Sequence, residues 1–553
     1  MSAASGDPQA GAAVQARCAA WRTLATPQAW DLLVVGGGAT GLSVALDAAL
    51  RGFSVALLDA EDFAKGTSSR ATKLLHGGVR YLAQGDVSLV REALHERAAW
   101  MANAPQVAQP LAFVVPAYRL RDLPFYGAGL KAYEWLAGRR SLGHTAWLSP
   151  AQTQAALPGV RRGGLRGGVR YWDGQFDDAR LAVLLARAAR EAGACVLNHV
   201  QVTGLQSVPA GSKGTQLTEV GVTDVLAGAH ATVRARCVVN ATGVWVDALR
   251  RMDAARGDAR PVAPLVQPSQ GVHLVVDRAF LRGQEALLVP RTADGRVLFA
   301  VPWLGKTVLG TTDTPMQEAL FEPRPLAQEV DFILREAAQV LERAPQRSDV
   351  RSAWVGLRPL VRPQAAVGAA ADGGATKALS REHTVEISPS GLVTVTGGKW
   401  TTARAMAEDV LAQCMRHGLL PQRDAGVTER HRLPGAAPGR SLTQPPGEHL
   451  YGLEAQALHA LPGADRWLAH DAETGAGVLS EAMVRFAARQ EMACSVEDVL
   501  ARRSRLLFLD ARQAQAVADG VGQVLAQELG AGFDAGASVQ SFVELAERYA
   551  HCP

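Results

Sequence analysis

Residues 32–35 (LLVV) and 54–58 (SVALL) are short apolar runs with an alanine-rich stretch between them. Runs of this length suit strands buried on both faces of a parallel sheet, and the stretch between them reads as a helix. Residues 89–104 carry helical spacing with mixed charges, 112–118 read as a strand, and 177–192 return to helical spacing. Residues 195–205 alternate as a strand at a sheet edge, and 206–232 form a polar, glycine-containing hairpin region. Residues 237–240 are another buried strand that turns into a helix. Between 265 and 315 four β-rich runs, VHLVVD, EALLVP, RVLFAVPW and TVLGTTD, are divided by Gly, Asp-Gly or Gly-Lys turns, the pattern of an antiparallel sheet. A Pro/Gly-rich break covers 434–447, and the remainder is helical by period.

The first two runs gain chemical meaning from what joins and follows them. Gly36, Gly38 and Gly41 fit the G-x-G-x-x-G spacing at the start of the helix. The first glycine permits the tight turn, the second lets backbone approach a pyrophosphate, and the third lets helix pack on strand. The helix N-terminus offers N–H groups and a positive dipole end to phosphates. Asp59 closes the second strand, where a carboxylate can accept hydrogen bonds from a ribose. Together these point to a bound dinucleotide. Residues 163–168 (GGLRGG) lack a preceding buried strand, so no separate nicotinamide domain is read.

Composition narrows the class. At roughly 150 residues per domain, 553 residues allow two to four domains. With 48% hydrophobic and 20% charged residues the chain is globular rather than disordered. A formal net charge of +4 is too slight to argue for nucleic acid. The six cysteines show no C-x-x-C pair, which argues against a zinc site or disulfide framework and fits a reducing compartment. No stretch reads as a transmembrane helix, a secretory signal or a D-x-D-x-D-G calcium loop. Residues 1–30 read as a mobile extension that can include a short helix. Residues 119–140 interleave Leu123, Phe125, Tyr126, Leu130, Tyr133, Trp135 and Leu136 with five basic residues. A basic, aromatic-rich amphipathic helix suits a membrane interface. The bland alternative is a helix packed on the substrate domain with a solvated basic side.

The cofactor is named by residues 63–82, FAKGTSSRATKLLHGGVRYL. Small hydroxyl residues and glycines leave room for a flat ring against backbone, and Arg80 adds a fixed charge suited to an anionic substrate. Thr67 to Ser69 also read as a helix cap. The block, with Thr67, Ser68, Ser69, Lys73, Leu75, His76, Gly77, Gly78, Arg80 and Tyr81 in order, resembles the FAD-dependent respiratory glycerol-3-phosphate dehydrogenases. Further motifs carry the same resemblance: Asn240, Ala241, Thr242 and Gly243; Ser269 to His273; Gly310 to Asp313; Arg358 in GLRPL; Arg381 in SREHTVEI; and Gly398, Lys399 and Thr401 in GGKWTT. Many relatives have Asp-Tyr after the arginine where this chain has Glu382-His383. The resemblance covers about residues 30–510 and extends to DVLARRSRL, where Asp498, Arg502, Arg503 and Arg505 read as structural ion pairs or partner contacts.

The resemblance implies an α/β fold: a Rossmann-like FAD-binding domain interleaved with an α+β antiparallel-sheet substrate domain, plus a C-terminal all-α domain. The boundaries expected are 31–110, 177–264 and 380–433 for FAD binding, and 111–176 and 265–379 for substrate. A linker at 434–447 leads to the helical domain at 448–553, and residues 367–378 read as a surface insertion. It implies FAD-dependent oxidation of sn-glycerol 3-phosphate to dihydroxyacetone phosphate by hydride transfer from C2 to flavin N5, with electrons passed to a quinone. Arg80, Tyr81, His273, Arg358, Arg381 and Lys399 are the implied substrate residues. His273 is the candidate base, with His76 as runner-up, and Arg80 and Arg358 are the charges beside the reaction. The implied FAD contacts are Gly36, Gly38, Gly41, Asp59, Thr67, Ser68, Ser69, Lys73, Leu75, His76, Gly77, Gly78, Val202, Ala241, Thr242, Gly243, Gly398, Lys399 and Thr401. A peripheral place on the cytoplasmic face of the inner (plasma) membrane follows, and a homodimer stays open. The rivals are a soluble FAD oxidase of the amine or amino-acid type using oxygen, and a non-catalytic flavin protein at a membrane surface.

Overall fold

The computed structural model describes residues 11–82, 86–210, 215–254, 262–293, 295–362 and 382–553. Its first sheet runs, edge to edge, His383–Ile387, Leu392–Gly397, Ala229–Asn240, Trp30–Val35, Val55–Leu58 and Cys195–Leu197. The inner pairings are parallel, with Val35 opposite both Leu58 and Asn240. The strands therefore end together on one side, where the glycine turn and the Asn240–Gly243 turn emerge. Helices Ala39–Leu50, Asp178–Glu191 and Ala403–Arg416 cover one face through a core that includes Leu42, Val44, Leu181, Leu184, Met406 and Val410. The hairpin of Val200–Ala210 and Thr215–Asp224 continues antiparallel onto Ala229–Asn240.

The second sheet is mostly antiparallel and runs through Val266–Asp277, Lys306–Gly310, Leu298–Trp303, Ala286–Val289, Ala108–Ala117 and Gly167–Phe176. Ser352–Val361 pairs with the other edge of Val266–Asp277 over ten positions. The two-residue strand Leu74–Leu75 pairs with Gly167–Phe176. The segment that follows the first sheet thus crosses to the second within the Thr67–Gly78 block. The layers interleave as the sequence suggests, and this block is the crossing point.

The C-terminal region is helical, with Glu481–Glu491, Ala518–Leu529 and Ala535–Ala550 around a core of Phe486, Val521, Leu525 and Phe542. It also holds one two-stranded ribbon, Trp467–His470 with Gly477–Ser480, that helical periodicity does not reveal. The Arg502-Arg503-Ser504-Arg505 run docks this region by buried ion pairs. Arg502 and Arg503 both reach Asp62, and Arg505 donates to Asp178 at 3.0 Å and to the Ser69 carbonyl at 2.8 Å. Arg180 joins Glu491 at 2.7 Å with both side chains fully buried. All six cysteines are free thiols.

Three expectations change. Residues 11–30 are not a mobile extension: Ala12–Leu24 is a helix whose Arg17 donates to the Asn198 carbonyl at 2.9 Å and to Asp224 at 3.0 Å, with Leu24 buried. The expected strand over 195–205 is two strands, Cys195–Leu197 and Val200–Ala210. His199 takes a left-handed φ of 53° between them and its N–H donates to the Glu61 carbonyl. The first FAD segment, 31–110, also gives Leu74–Leu75 to the second sheet. Residues 367–378 lie outside the described residues.

Arg505→Ala leaves Asp177 and Asp178 buried with less countercharge. Removing one partner of a buried pair costs about 3–5 kcal/mol. Urea melts of the holoenzyme are expected to show that loss, together with weaker flavin retention; an unchanged midpoint contradicts the docking role.

Candidate active site

The dinucleotide end is built by close backbone approach. Gly36 has φ +108°, and a Cβ there would lie 2.6 Å from the Ala241 carbonyl oxygen. A Cβ on Gly41 would collide with the Gly36 carbonyl, so the Ala39–Leu50 helix can seat on the strand end only as glycine. Gly38 is the N-cap of that helix, and the first helical N–H, of Ala39, donates to Ser68 Oγ at 2.9 Å. Asp59 accepts from the N–H groups of Gly37 at 2.6 Å and Glu61 at 2.9 Å, while burial pushes its carboxyl up to about 6. The Ala241 N–H donates to the Val35 carbonyl, and Thr242 donates its hydroxyl to Asn240 Oδ1 at 2.7 Å. Gly243 starts the next turn, and Val202 is buried on the adjoining hairpin, which bonds to the Asp59 carbonyl through Val200. A glycine turn with no room for a side chain at Gly36 and Gly41, beside a second turn at the carboxyl ends of the same parallel strands, fits a dinucleotide.

The Thr67–Ser69 turn leads the chain across. Thr67 Oγ1 donates to the Leu357 carbonyl at 2.5 Å and Trp400 Nε1 to the Ser68 carbonyl at 2.8 Å. The Ser69 carbonyl accepts from both Lys73 Nζ and Arg505. Lys73 is fully buried with a left-handed φ of 67°. Its ammonium meets both Asp178 oxygens at 2.9 and 2.8 Å and lies over the rings of Trp303, Trp354 and Phe508. Burial pulls it down to about 7 against the opposing pull of Asp178. Leu75 is buried on the short strand, the His76 carbonyl is met by Thr401 Oγ1 at 3.5 Å, and the Gly77 N–H donates to Asp173 at 3.2 Å. Gly78 and Gly398 both have left-handed φ, and Lys399 precedes the turn Trp400–Thr402.

The substrate end lies on one face of the second sheet. Opposite pairs Ser269–Arg358, Gly271–Gly356 and His273–Trp354 put these side chains on the same side. The Arg358 guanidinium folds over Gly271, where a Cβ would strike it, and donates to Thr311 Oγ1 at 3.1 Å and to Asp313 at 3.3 Å. Asp313 in turn accepts from Ser269 Oγ. The His273 ring stacks on Trp354 at 4.2 Å and 18°, and a Cβ on Gly310 would come within 2.5 Å of its Cδ2. His273 is 2% exposed, and its Nε2 is 2.9 Å from Thr72 Oγ1. Burial first, then the charges of Arg358 and Lys73, hold the imidazole well below its usual 6.5. The ring is therefore neutral at physiological pH, the state a general base needs.

The fold brings His273, Arg358 and the 67–78 block together. Arg80 and Tyr81 lie on the short helix Val79–Leu82 that follows the His-Gly-Gly turn. Arg381 lies outside the described residues. Sequence reading overlooked Thr72, although it sits inside the quoted block, and Trp354, whose stacking only strand register discloses. Arg505, read as a structural ion pair or a partner contact, pairs within the chain with Asp178 beside the cofactor block.

Residues 31–413 match the family described as FAD dependent oxidoreductase, and residues 426–534 match the C-terminal domain of alpha-glycerophosphate oxidase. The chain is 37% identical over 534 residues to the probable mitochondrial glycerol-3-phosphate dehydrogenase of Caenorhabditis elegans, covering 92% of this chain and 72% of that protein. It is 36% identical over 537 residues to the mitochondrial glycerol-3-phosphate dehydrogenase of Rattus norvegicus, covering 92% and 71%. The chain belongs to the FAD-dependent glycerol-3-phosphate dehydrogenase family. The glycerol-3-phosphate dehydrogenase of Bacillus halodurans, solved in complex with FAD, superposes with a TM-score of 0.72 at 27% identity over 97% of this chain and 98% of that one. Glycine oxidase from Geobacillus kaustophilus, at 21% identity and TM-score 0.51 over 72% and 99%, shares the fold alone. The protein is thus a flavoenzyme of the glycerol-3-phosphate dehydrogenase family, with FAD as its cofactor.

Gly41→Ala is expected to give protein that purifies without flavin, since its Cβ cannot coexist with the Gly36 carbonyl. Absorbance at the flavin band relative to protein reads this directly, and full flavin content overturns it.

Proposed function

We propose that this dehydrogenase oxidises the C2 hydroxyl of sn-glycerol 3-phosphate to dihydroxyacetone phosphate, with His273 as base, and passes the electrons to a quinone at a membrane surface. What carries the reading is that His273 and Arg358 share one sheet face, directed at the block that resembles the family's flavin segment. Arg358, with Arg80, Tyr81, Arg381 and Lys399, holds the phosphate dianion and polarises the C2 oxygen; planar arginine suits both tasks. Gly36, Gly38, Gly41, Asp59, Ala241, Thr242 and Gly243 would hold the adenosine and pyrophosphate of FAD, with Val202 near the adenine. Thr67, Ser68, His76, Gly77, Gly78, Gly398, Lys399 and Thr401 would line its ring system. Ser69, Lys73 and Leu75 serve that lining as the packed support of the loop. When bound, FAD supplies the acceptor for the hydride lost from C2.

Anaerobic addition of glycerol 3-phosphate is expected to bleach the flavin band, while glycerol, glycine and D-alanine leave it unchanged. Bleaching by an amine alone would instead favour the oxidase rival. His273→Ala is expected to slow bleaching by about 10²–10⁴-fold, the usual span for a general base, with FAD content kept. Equal loss of rate and flavin contradicts the base assignment. A base works only when unprotonated, and His273 is held below 6.5. The reduction rate should therefore stay flat through neutral pH and fall only on acidification below that value.

The membrane part rests on the helix Asp122–Ala137. It buries Leu130 and Tyr133 and exposes Phe125 (75%) and Trp135 (76%), with Leu120 (71%) just before it. Arg119, Arg121, Lys131, Arg139 and Arg140 are exposed around these side chains. Among the described residues no helix is long and apolar enough to cross a membrane, and this surface suits peripheral docking on anionic lipid. The membrane face we assign is the cytoplasmic face of the inner (plasma) membrane. Replacing Phe125 and Trp135 together by Glu should cut co-sedimentation with anionic vesicles by roughly tenfold or more, with dye-linked activity unchanged; equal sedimentation contradicts this docking surface.

A further inference from the structure

Resting on the reading of His273 as base, we infer that Thr72 is a catalytic relay that carries the C2-hydroxyl proton to His273. The base is buried. Its ring is closed on one face by Trp354 and on the Cδ2 edge by Gly310, and at Nε2 it meets Thr72 Oγ1 at 2.9 Å. Thr72 is partly exposed where His273 is not, so the hydroxyl is what the site presents and the imidazole stands behind it. A hydroxyl can accept one proton while donating its own, which valine cannot do. The Arg358 guanidinium lies over Gly271, two residues along the strand from His273 on the same face, and can hold the C2 oxygen beside that hydroxyl.

The proton transfer balances within the proposed reaction. In the tautomer with hydrogen on Nδ1, Thr72 donates to Nε2. The substrate O–H bond breaks, its proton joins Thr72 Oγ1, and the threonine's own proton passes to Nε2. The hydride and its two electrons leave C2 for FAD as the C2 carbonyl forms, and His273 ends as imidazolium. The position of Thr72 comes from its neighbour. Lys73 is fixed by Asp178 and the Ser69 carbonyl, so the residue before it has little freedom to leave Nε2.

Stopped-flow anaerobic flavin reduction by glycerol 3-phosphate, with flavin content measured for each protein, tests this on holoenzyme carrying Thr72→Val, Thr72→Ser or His273→Ala. The expected result is a fall of about 100-fold or more in the limiting rate for Thr72→Val. The substrate Kd should stay within about threefold, and Thr72→Ser should recover to within about tenfold of wild type. The residual Thr72→Val rate should rise about tenfold per pH unit, because hydroxide must then replace the relay. If Thr72→Val reduces at the wild-type rate while His273→Ala is slow, the relay is wrong and the base reading stands. Equal losses in Thr72→Val and Thr72→Ser mean a packing role and also overturn the relay. If His273→Ala reduces at the wild-type rate, the base reading fails and the relay falls with it.

Discussion

The ammonium of Lys73 sits without exposure among Trp303, Trp354 and Phe508, held by both oxygens of Asp178 and by the Ser69 carbonyl, which also takes a bond from Arg505. A buried charge of this kind is strongly unfavourable alone and tolerable only when paired and fully bonded. The groups around it come from three parts of the molecule. Asp178 opens a helix of the first sheet's cover, Trp303 and Trp354 belong to the second sheet, and Arg505 and Phe508 belong to the C-terminal region. Desolvation therefore makes the docking of all three parts interdependent: withdraw one and a charge is left without its partner. The left-handed backbone of Lys73 persists because these contacts over-determine it.

From that point the site follows by register. With residue 73 fixed, residue 72 stands against the strand Val266–Asp277, and alternation of side chains carries Ser269, Gly271 and His273 to the same face. The two glycines there act by what they lack. Gly271 leaves the space in which the Arg358 guanidinium lies, and Gly310 leaves the space for the edge of His273. The opposite face, with Val272, Leu274 and Val355, is filled by the core against Val330 and Ile333. One face of a strand pair thus makes the core while the other makes the chemistry.

What could be read from the sequence was local. Residues 32–59 disclose strand, turn, helix and acid because every cue lies within thirty residues, and the Gly41–Gly36 contact realises the spacing rule. The four strands between 265 and 315 were legible for the same reason. The pairing of Lys73 with Asp178 was not legible, because its partner lies 105 residues away and nothing near Lys73 signals it. The docking of Ala12–Leu24 was hidden likewise, since Arg17 finds Asp224 207 positions on. His273 was legible as a strand residue through family resemblance. Its burial behind Thr72 was not, because the sequence fixes neither the pairing with Trp354 nor the approach of the crossing loop.

The same cations that suit an anionic substrate also weaken the proposed base. Arg358 and Lys73 both oppose a positive charge on His273, adding to the effect of burial. An imidazolium formed there by proton transfer is therefore costly unless negative charge arrives with the substrate. In the proposed site the substrate's phosphate dianion would provide it, and in a site of low effective dielectric its influence on a neighbouring titration is large. Proton acceptance is then coupled to the presence of the phosphate. Glycerol has the same C2 hydroxyl but brings no countercharge, so with His273 as base it would lose base strength as well as binding energy. Selectivity for the phosphorylated alcohol would then lie in the rate of the chemical step as much as in affinity, which is how binding at a remote group is converted into turnover.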